Sequence, residues 1–347
     1  MTRRAARILA STAAAVCALG LLPACSGSSK KTASTSPSSS PAPATTRKPT
    51  PTPAPVNPLT GVGSPSKLPV IAVKIDDTGP GRPQVNIDRA DIVYIEQAEG
   101  GLSRLVAVFG TNKPVVGYVR STRPSDPELL LQYGKITLAA SGGGGDALPI
   151  LDASGLTSWI NDRGARFYAR TSRSASSYVN LTLDLAQVAA TVKTPAPRSI
   201  GLTWSKGLGK TTWTGRGASI QTLVGSTPVN FRWDAGLKRF VRYIDGARQL
   251  VADGRPVSTP NVIVQNCVIV PHYADVDVNG NPSKFTHTIG TGSVTVFRNG
   301  HGTTGTWSRK SVSSGTILRD RSGNVIPLTP GGAWVVLAAK GTVVVAS

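Results

Sequence analysis

From Leu68 onward, apolar and β-branched residues come in short runs broken by turn-forming residues. Four runs, at 69–75, 91–95, 105–110 and 115–119, lie close together. Each is too short for a globular helix and reads as a buried strand. Polar residues stand at their ends and in the Gly-rich loops between them: Asp76, Asp77, Arg82, Glu96, Glu99, Arg104, Arg120 and Arg123. Charged groups in such places are how a rigid scaffold presents a site. Ser125 then opens an amphipathic helix over Asp126–Tyr133, with Pro127 in its first turn. Ile136–Ala140 returns as a strand into Ser141 and the glycine run 142–145, and 146–151 has a helical pattern. Strands interleaved with helices predict an α/β or α+β domain over residues 58–195.

The pattern changes after a proline-rich joint, Lys193–Ser199. Val229–Trp233 alternates as a half-buried strand does, and Phe240–Tyr243 returns after a turn at Asp234. Val262–Val270 is a long apolar strand. Val294–Arg298 and Thr304–Trp307 flank Asn299-Gly300 as a hairpin, and Ile317–Arg319, Val325–Leu328 and Trp334–Leu337 follow. Residues 200–347 are therefore expected to form a mostly β domain, which makes the chain α+β as a whole.

Ahead of the folded part the composition reads differently. Arg3, Arg4 and Arg7 precede an apolar stretch from Ile8 to Leu22, the layout of a secretory signal over residues 1–25. Leu22-Pro23-Ala24-Cys25 resembles the lipobox of bacterial lipoproteins. That resemblance implies cleavage before Cys25 and acyl lipid, of the palmitate kind, on its thiol. Residues 26–57 are rich in Ser, Thr, Pro and Ala, with no large apolar residue before Val56. Such a stretch cannot bury enough surface to offset its ordering entropy, so it is expected to be a disordered, extended tether. The chain is then lipid-anchored on the extracytoplasmic face of the cell membrane.

The net charge is +20, and +17 once Arg3, Arg4 and Arg7 are removed with the signal. An excess of this size favours anionic partners. The cations are scattered rather than gathered in a stripe, so no specific nucleic-acid role is expected. Of three cysteines only Cys267 lies in the folded part. That leaves no internal disulfide and no thiol cage for a metal, and Cys267, inside an apolar run, reads as a buried structural thiol.

Six of the eighteen acids fall between Asp76 and Glu99. Three readings of this cluster stand open. It could neutralise Arg82, Arg104, Arg120 and Arg123 in an internal ion network. It could line a ligand-binding cleft. It could hold a hard cation or split acid and base roles. The glycine run lacks the Lys-Ser/Thr pair of a phosphate loop and reads as a tight turn. His272, His287 and His301 match no metal or nucleophile spacing. Trp204, Trp213, Trp233, Trp307 and Trp334 read as core rather than as sugar-stacking platforms. No catalytic residue, metal ligand or cofactor is assigned.

Leu59-Thr60-Gly61, VKIDD with GRPQ, ADIVYIEQAEGGLSR, AVFG and VGYVRSTR resemble the first domain of the YerB-like bacterial lipoproteins, a family catalogued as a domain of unknown function. FRWD, RYIDG, NVIVQN, TGSVTVFRNG with GTW, and RDRSGNVIPLTPGGAW are similar to its C-terminal domain. The family's later arginine pair is matched by Arg170 and Arg173, leading to Asn180-Leu181. Members often carry a histidine just before that asparagine. This chain has none in its first domain, which speaks against imidazole chemistry there. The resemblance implies a membrane-anchored, two-domain extracellular protein without an assigned reaction.

The reading that results is a cell-envelope binding or scaffold protein rather than an enzyme. It would engage a wall component or a protein partner through Asp76, Asp77, Arg82, Glu96, Glu99, Arg104, Arg120, Arg123, Arg170 and Arg173. Several of the arginines are expected to line a concave surface. The alternative is a hydrolase or transferase acting on wall polymers through two carboxylates about 5–10 Å apart across a groove.

Overall fold

The computed structural model describes residues 55–172 and 178–347. Cys25, the signal, most of the tether and Arg173 lie outside the described residues. The first half carries strands β1 (Ile71–Asp76), β2 (Ile92–Gln97), β3 (Ser103–Phe109) and β4 (Val115–Gly117), then helix α1 (Asp126–Leu130). Strand β5 (Thr137–Ala140), helix α2 (Ala147–Ser154), and strands β6 (Thr157–Ile160), β7 (Tyr168–Arg170) and β8 (Leu181–Asp184) follow. Helix α3 (Leu185–Thr191) closes this half. The Asp184 carboxylate accepts from the first free backbone N–H groups, of Ala186 and Gln187, as an N-cap does. The helix expected over 126–133 is shorter than its pattern, because a 3-10 turn takes over at Leu131–Tyr133.

The second half is nearly all strand: β9 (Ser219–Val224), β10 (Thr227–Asp234), β11 (Arg239–Ile244), β12 (Asn261–Val276), β13 (Pro282–His287), β14 (Gly290–Arg298), β15 (His301–Arg309), β16 (Ile317–Asp320) and β17 (Ala333–Ala339). The chain is mostly β with few helices, within the α+β class. Among the described residues no helix is long and apolar enough to cross a membrane.

The halves 58–195 and 200–347 share one sheet. Its order is β16-β15-β14-β12-β17-β2-β3-β1-β5-β6, with β13 on the outer part of β12. The join is parallel pairing of β17 with β2, from Ile92 against Ala333 to Ile95 against Val336. Alternate residues of β1–β3 face opposite sides. Ile71, Val73, Ile75, Leu105 and Phe109 meet a second sheet built on β9–β11 and its Phe231 and Phe240. Val70, Ala72, Val106 and Val108 join Leu129, Leu151, Trp307 and Leu337 on the other side. Both cores draw on both halves, so neither face of the central sheet is completed by one half alone.

Candidate functional site

The same alternation that sorts the apolar residues sorts the charges at the ends of β1–β3. Asp76 and Asp77 are adjacent and therefore point to opposite faces. Asp77, on the Phe231 side, receives two hydrogen bonds from Arg242 at 2.8 and 2.7 Å and one from Ser103 Oγ at 2.6 Å. Both Asp77 and Arg242 are buried. Burial alone would raise the Asp77 carboxyl, but the charge and hydrogen bonds of Arg242 outweigh it and hold it below its ordinary value. Arg82 lies on this side as well, its Nε 3.7 Å from Asp77 Oδ1, with Nη2 donating to the Asp77 carbonyl.

The other face holds the rest. Lys74 sits in the middle of β1 and is fully buried. It pairs with Glu96, and with Asp126 at 2.7 Å. Burial, and then the charge of Asp126, push the Glu96 carboxyl up to about 7 against the pull of Lys74. Asp126 also accepts from Thr122 Oγ1 and the Arg123 N–H. Arg120 Nε lies 2.8 Å from Asp76 Oδ2. Arg123 pairs with Glu99 at 2.5 Å, and Ser283 Oγ donates to Glu99 at 2.9 Å.

The remaining two acids of the cluster are engaged as well. Asp88 pairs with Arg255 at 2.8 Å, and Asp91 accepts the backbone N–H groups of Gly110 and Thr111. The cluster is thus an ion and hydrogen-bond network in which every acid from Asp76 to Glu99 has a partner.

Arg104 is left over. It stands beside Asp76 in the β1–β3 register and beside Glu96 in the β2–β3 register. Those carboxylates are turned to Arg120 and Lys74 instead. Arg104 is 3 % exposed, and its Nε and Nη1 are buried without a hydrogen-bond partner. Burial, then the charges of Arg123 and Arg120, push its guanidinium down to about 9. It still carries its charge at neutral pH.

Arg104, Arg120 and Arg123 line one open cleft of about 700 Å³. The opposite wall comes from the second half, the hairpin tip Asp275–Asn281 between β12 and β13. This ribbon is seated on the glycine run. A Cβ at Gly145 would run into the Ala274 carbonyl, and one at Gly144 into Asp275 Oδ1. His272 Nε2 holds the ribbon to Asp146 Oδ1 at 2.8 Å. The glycines therefore serve close approach of another strand.

Several candidates fall elsewhere. Arg82 lines a separate cleft with Asp77, Thr78 and Ser103. Arg170 is exposed at the end of β7, bonded to Asn180 Oδ1 at 3.0 Å, and is not part of the Arg104 cleft. Of the carboxylates named in the hydrolase reading, Asp76 and Asp77 are on opposite faces, and Glu96 and Glu99 are each held by a cation. Among the described residues no group of three or more His, Cys, Asp or Glu is placed to share a metal ion. Cys267 is buried, which pushes its thiol up to about 12. Trp307 and Trp334 are core residues, and Trp233 packs edge-on against Phe240.

The sequence pattern missed Lys74, Asp126, Arg242 and Asp275 as parts of these networks. A lysine in the apolar run IAVKID was a usable signal for the first of them.

Two family models match the chain. The N-terminal domain of a protein family of unknown function, DUF3048, matches residues 59–197, and the C-terminal domain of the same family matches 218–335. A solved structure, that of the YerB protein from Bacillus subtilis, is similar over 84% of this chain and 99% of its own, with a TM-score of 0.69 at 18% sequence identity. At that identity the likeness speaks for the fold alone. No curated protein matches the chain.

Proposed function

We propose, for a chain that belongs to the two-domain DUF3048 family of unknown function, that it is a lipid-anchored envelope protein that binds an anionic component outside the cell. Arg104 is the observation that carries this reading. A buried guanidinium that makes no ion pair of its own is costly, and here Asp76 and Glu99 offset its charge only in part. Here it borders an open cleft beside two further arginines whose own carboxylates are already in place. An arriving anion completes the set. Binding rather than turnover fits the acids from Asp76 to Glu99, each of which already has a partner.

The anchor rests on the Leu22–Cys25 motif and the Pro- and Ser-rich segment after it. A single acyl chain holds a protein to a membrane only reversibly, so stable attachment takes more than one chain. The test combines both parts. Wild-type chain is expected in the membrane fraction after a high-salt wash, and Cys25→Ser in the soluble fraction. The released protein is expected to cosediment with purified anionic wall polymer, and Cys25→Ser/Arg104→Met is expected to stay in the supernatant. Equal membrane retention of both chains defeats the anchor. Equal cosedimentation defeats the cleft.

A further inference from the structure

Asp275 faces the same cleft from the second half, near Ser283 and Arg123, and one of its carboxylate oxygens is left without a partner. It is 3 % exposed, and its Oδ2 is buried without a hydrogen-bond partner. Its neighbour in the loop, Asp277, is different. That carboxylate accepts from the N–H groups of Asn279 and Asn281 and so closes the turn. Asp320 does the same for Ser322 and Asn324 in another hairpin. Asp277 is therefore explained by the turn, and Asp275 is not.

The cleft thus offers an unpaired cation on one wall and an unpaired acceptor on the other. Charge narrows what fits. Asp76 offsets Arg120 and Glu99 offsets Arg123, so Arg104 is the arginine of the three that has no ion pair, while Asp275 and Asp277 bring two carboxylates to the opposite wall. A site of such mixed charge favours a ligand of low negative charge over one of high negative charge. A phosphodiester keeps a single charge, whereas a monoester carries about −1.5 to −2 near neutral pH. A tetrahedral phosphate can also address more than one guanidinium at once, which a carboxylate held by one fork does not. At Asp275 the ligand must donate. An ammonium would have to sit among three guanidiniums, and a hydroxyl carries no such penalty. Burial also raises the Asp275 carboxyl.

From this geometry we infer that the cleft takes a polyol phosphodiester, its phosphate against Arg104 and a neighbouring hydroxyl donating to Asp275. The inference rests on the anion-binding reading above and adds the second contact. Such a group occurs both in a polyol-phosphate polymer and in the headgroup of a phosphoglycerol lipid.

The experiment is calorimetric titration of the full chain in detergent with diglycerol phosphodiester and with dimethyl phosphate, which has the same charge and no hydroxyl. The diglycerol ligand is expected to bind about tenfold more tightly, the worth of one good hydrogen bond. Asp275→Ala is expected to bring the two ligands within about twofold while still binding dimethyl phosphate, which also reports that the variant is folded. Arg104→Met is expected to bind neither. Poly(glycerol phosphate) and a short-chain phosphatidylglycerol then separate the two sources, and preference for either one supports the assignment. Equal affinity of the wild type for diglycerol phosphodiester and dimethyl phosphate overturns this inference and leaves the anion site standing. Tighter binding of glycerophosphoethanolamine than of the diglycerol compound overturns the hydroxyl assignment. Absence of binding to all of them overturns the anion site itself.

Discussion

Asp77 and Arg104 stand at neighbouring strand ends, both buried, and on opposite faces of one sheet. The Asp77 side is closed. Its carboxylate has a bidentate guanidinium and a hydroxyl, and the partner arginine comes from a strand of the other half. The Arg104 side is open. Its guanidinium has carboxylates nearby but no ion pair of its own, and a cleft lies before it. Similar residue types thus serve two ends. A satisfied ion pair fixes how the halves meet, and an unsatisfied one leaves binding energy for a ligand. Stability and function therefore divide along the two faces, and substitutions on each face should fail in different ways.

The largest effect is expected from Asp77→Ala. It leaves Arg242 buried and unpaired, which costs about 3–5 kcal/mol. Urea unfolding followed by circular dichroism would read this as a large drop in midpoint. A change under about 1 kcal/mol would mean that water reaches Arg242 and that the closed face is not closed.

Arg104→Met should do the reverse. Replacing a buried charge that makes no ion pair by an apolar side chain of similar length is expected to stabilise by roughly 1–4 kcal/mol. A higher melting temperature together with lost anion binding is the signature of a functional arginine. A lower melting temperature would show that Arg104 is held by contacts that matter to the fold, and would remove the contrast between the two faces.

How much of this could be read from the chain follows from the same geometry. The strands β1–β3 were legible because their apolar runs are bounded by turn residues. Asp76, Glu99, Arg104, Arg120 and Arg123 were legible as a group because they lie at the ends of those runs. Their pairing was not legible. Arg242 is 165 residues from Asp77, and Ser283 is 184 from Glu99. No local pattern announces a partner so distant. The joint at Lys193–Ser199 shows as a break in composition, yet β17 returns past it to pair with β2. One inference was within reach. Period-2 alternation alone places Asp76 and Asp77 on opposite faces, which already argues against a shared catalytic pair.

Glu96 supplies a pH test of the open face. Its folded carboxyl is raised to about 7 from an ordinary 4.5, by burial first and then by Asp126. The folded state therefore holds a proton that the unfolded state has released between those values. Stability from this group is complete below about pH 4.5 and declines as pH rises toward 7. Glu96→Gln should flatten the slope of melting temperature against pH in that window, an effect of about 1–3 kcal/mol across it. An unchanged slope would mean that Lys74 keeps Glu96 ionised throughout, and that the Lys74–Glu96–Asp126 group is as settled as the Asp77 pair.

The smallest expected effect concerns the seam between the glycine run and the ribbon. Gly144 has no room for a Cβ, because the Asp275 carboxylate oxygen occupies that space. The obstacle is the far end of a side chain, which can swing aside, and Gly144 does not require a left-handed backbone. Gly144→Ala should therefore cost the fold only about 0.5–1 kcal/mol, partly offset by the lower entropy of the unfolded chain. Its consequence for the cleft should be larger than its consequence for stability. Displacing Asp275 would move the acceptor on one wall while leaving Arg104, Arg120 and Arg123 in place on the other. Binding of dimethyl phosphate is expected to persist, and the preference for the diglycerol ligand to fall. Gly145→Ala is the sharper control. There the obstruction is the Ala274 backbone carbonyl and the backbone is left-handed at φ 47°, so the whole ribbon would have to lift. Loss of both affinities in Gly145→Ala, with loss of selectivity alone in Gly144→Ala, would place the second half's contribution in the Asp275 side chain and not merely in closure of the wall. If Gly144→Ala left selectivity untouched, the open face would consist of the arginines alone.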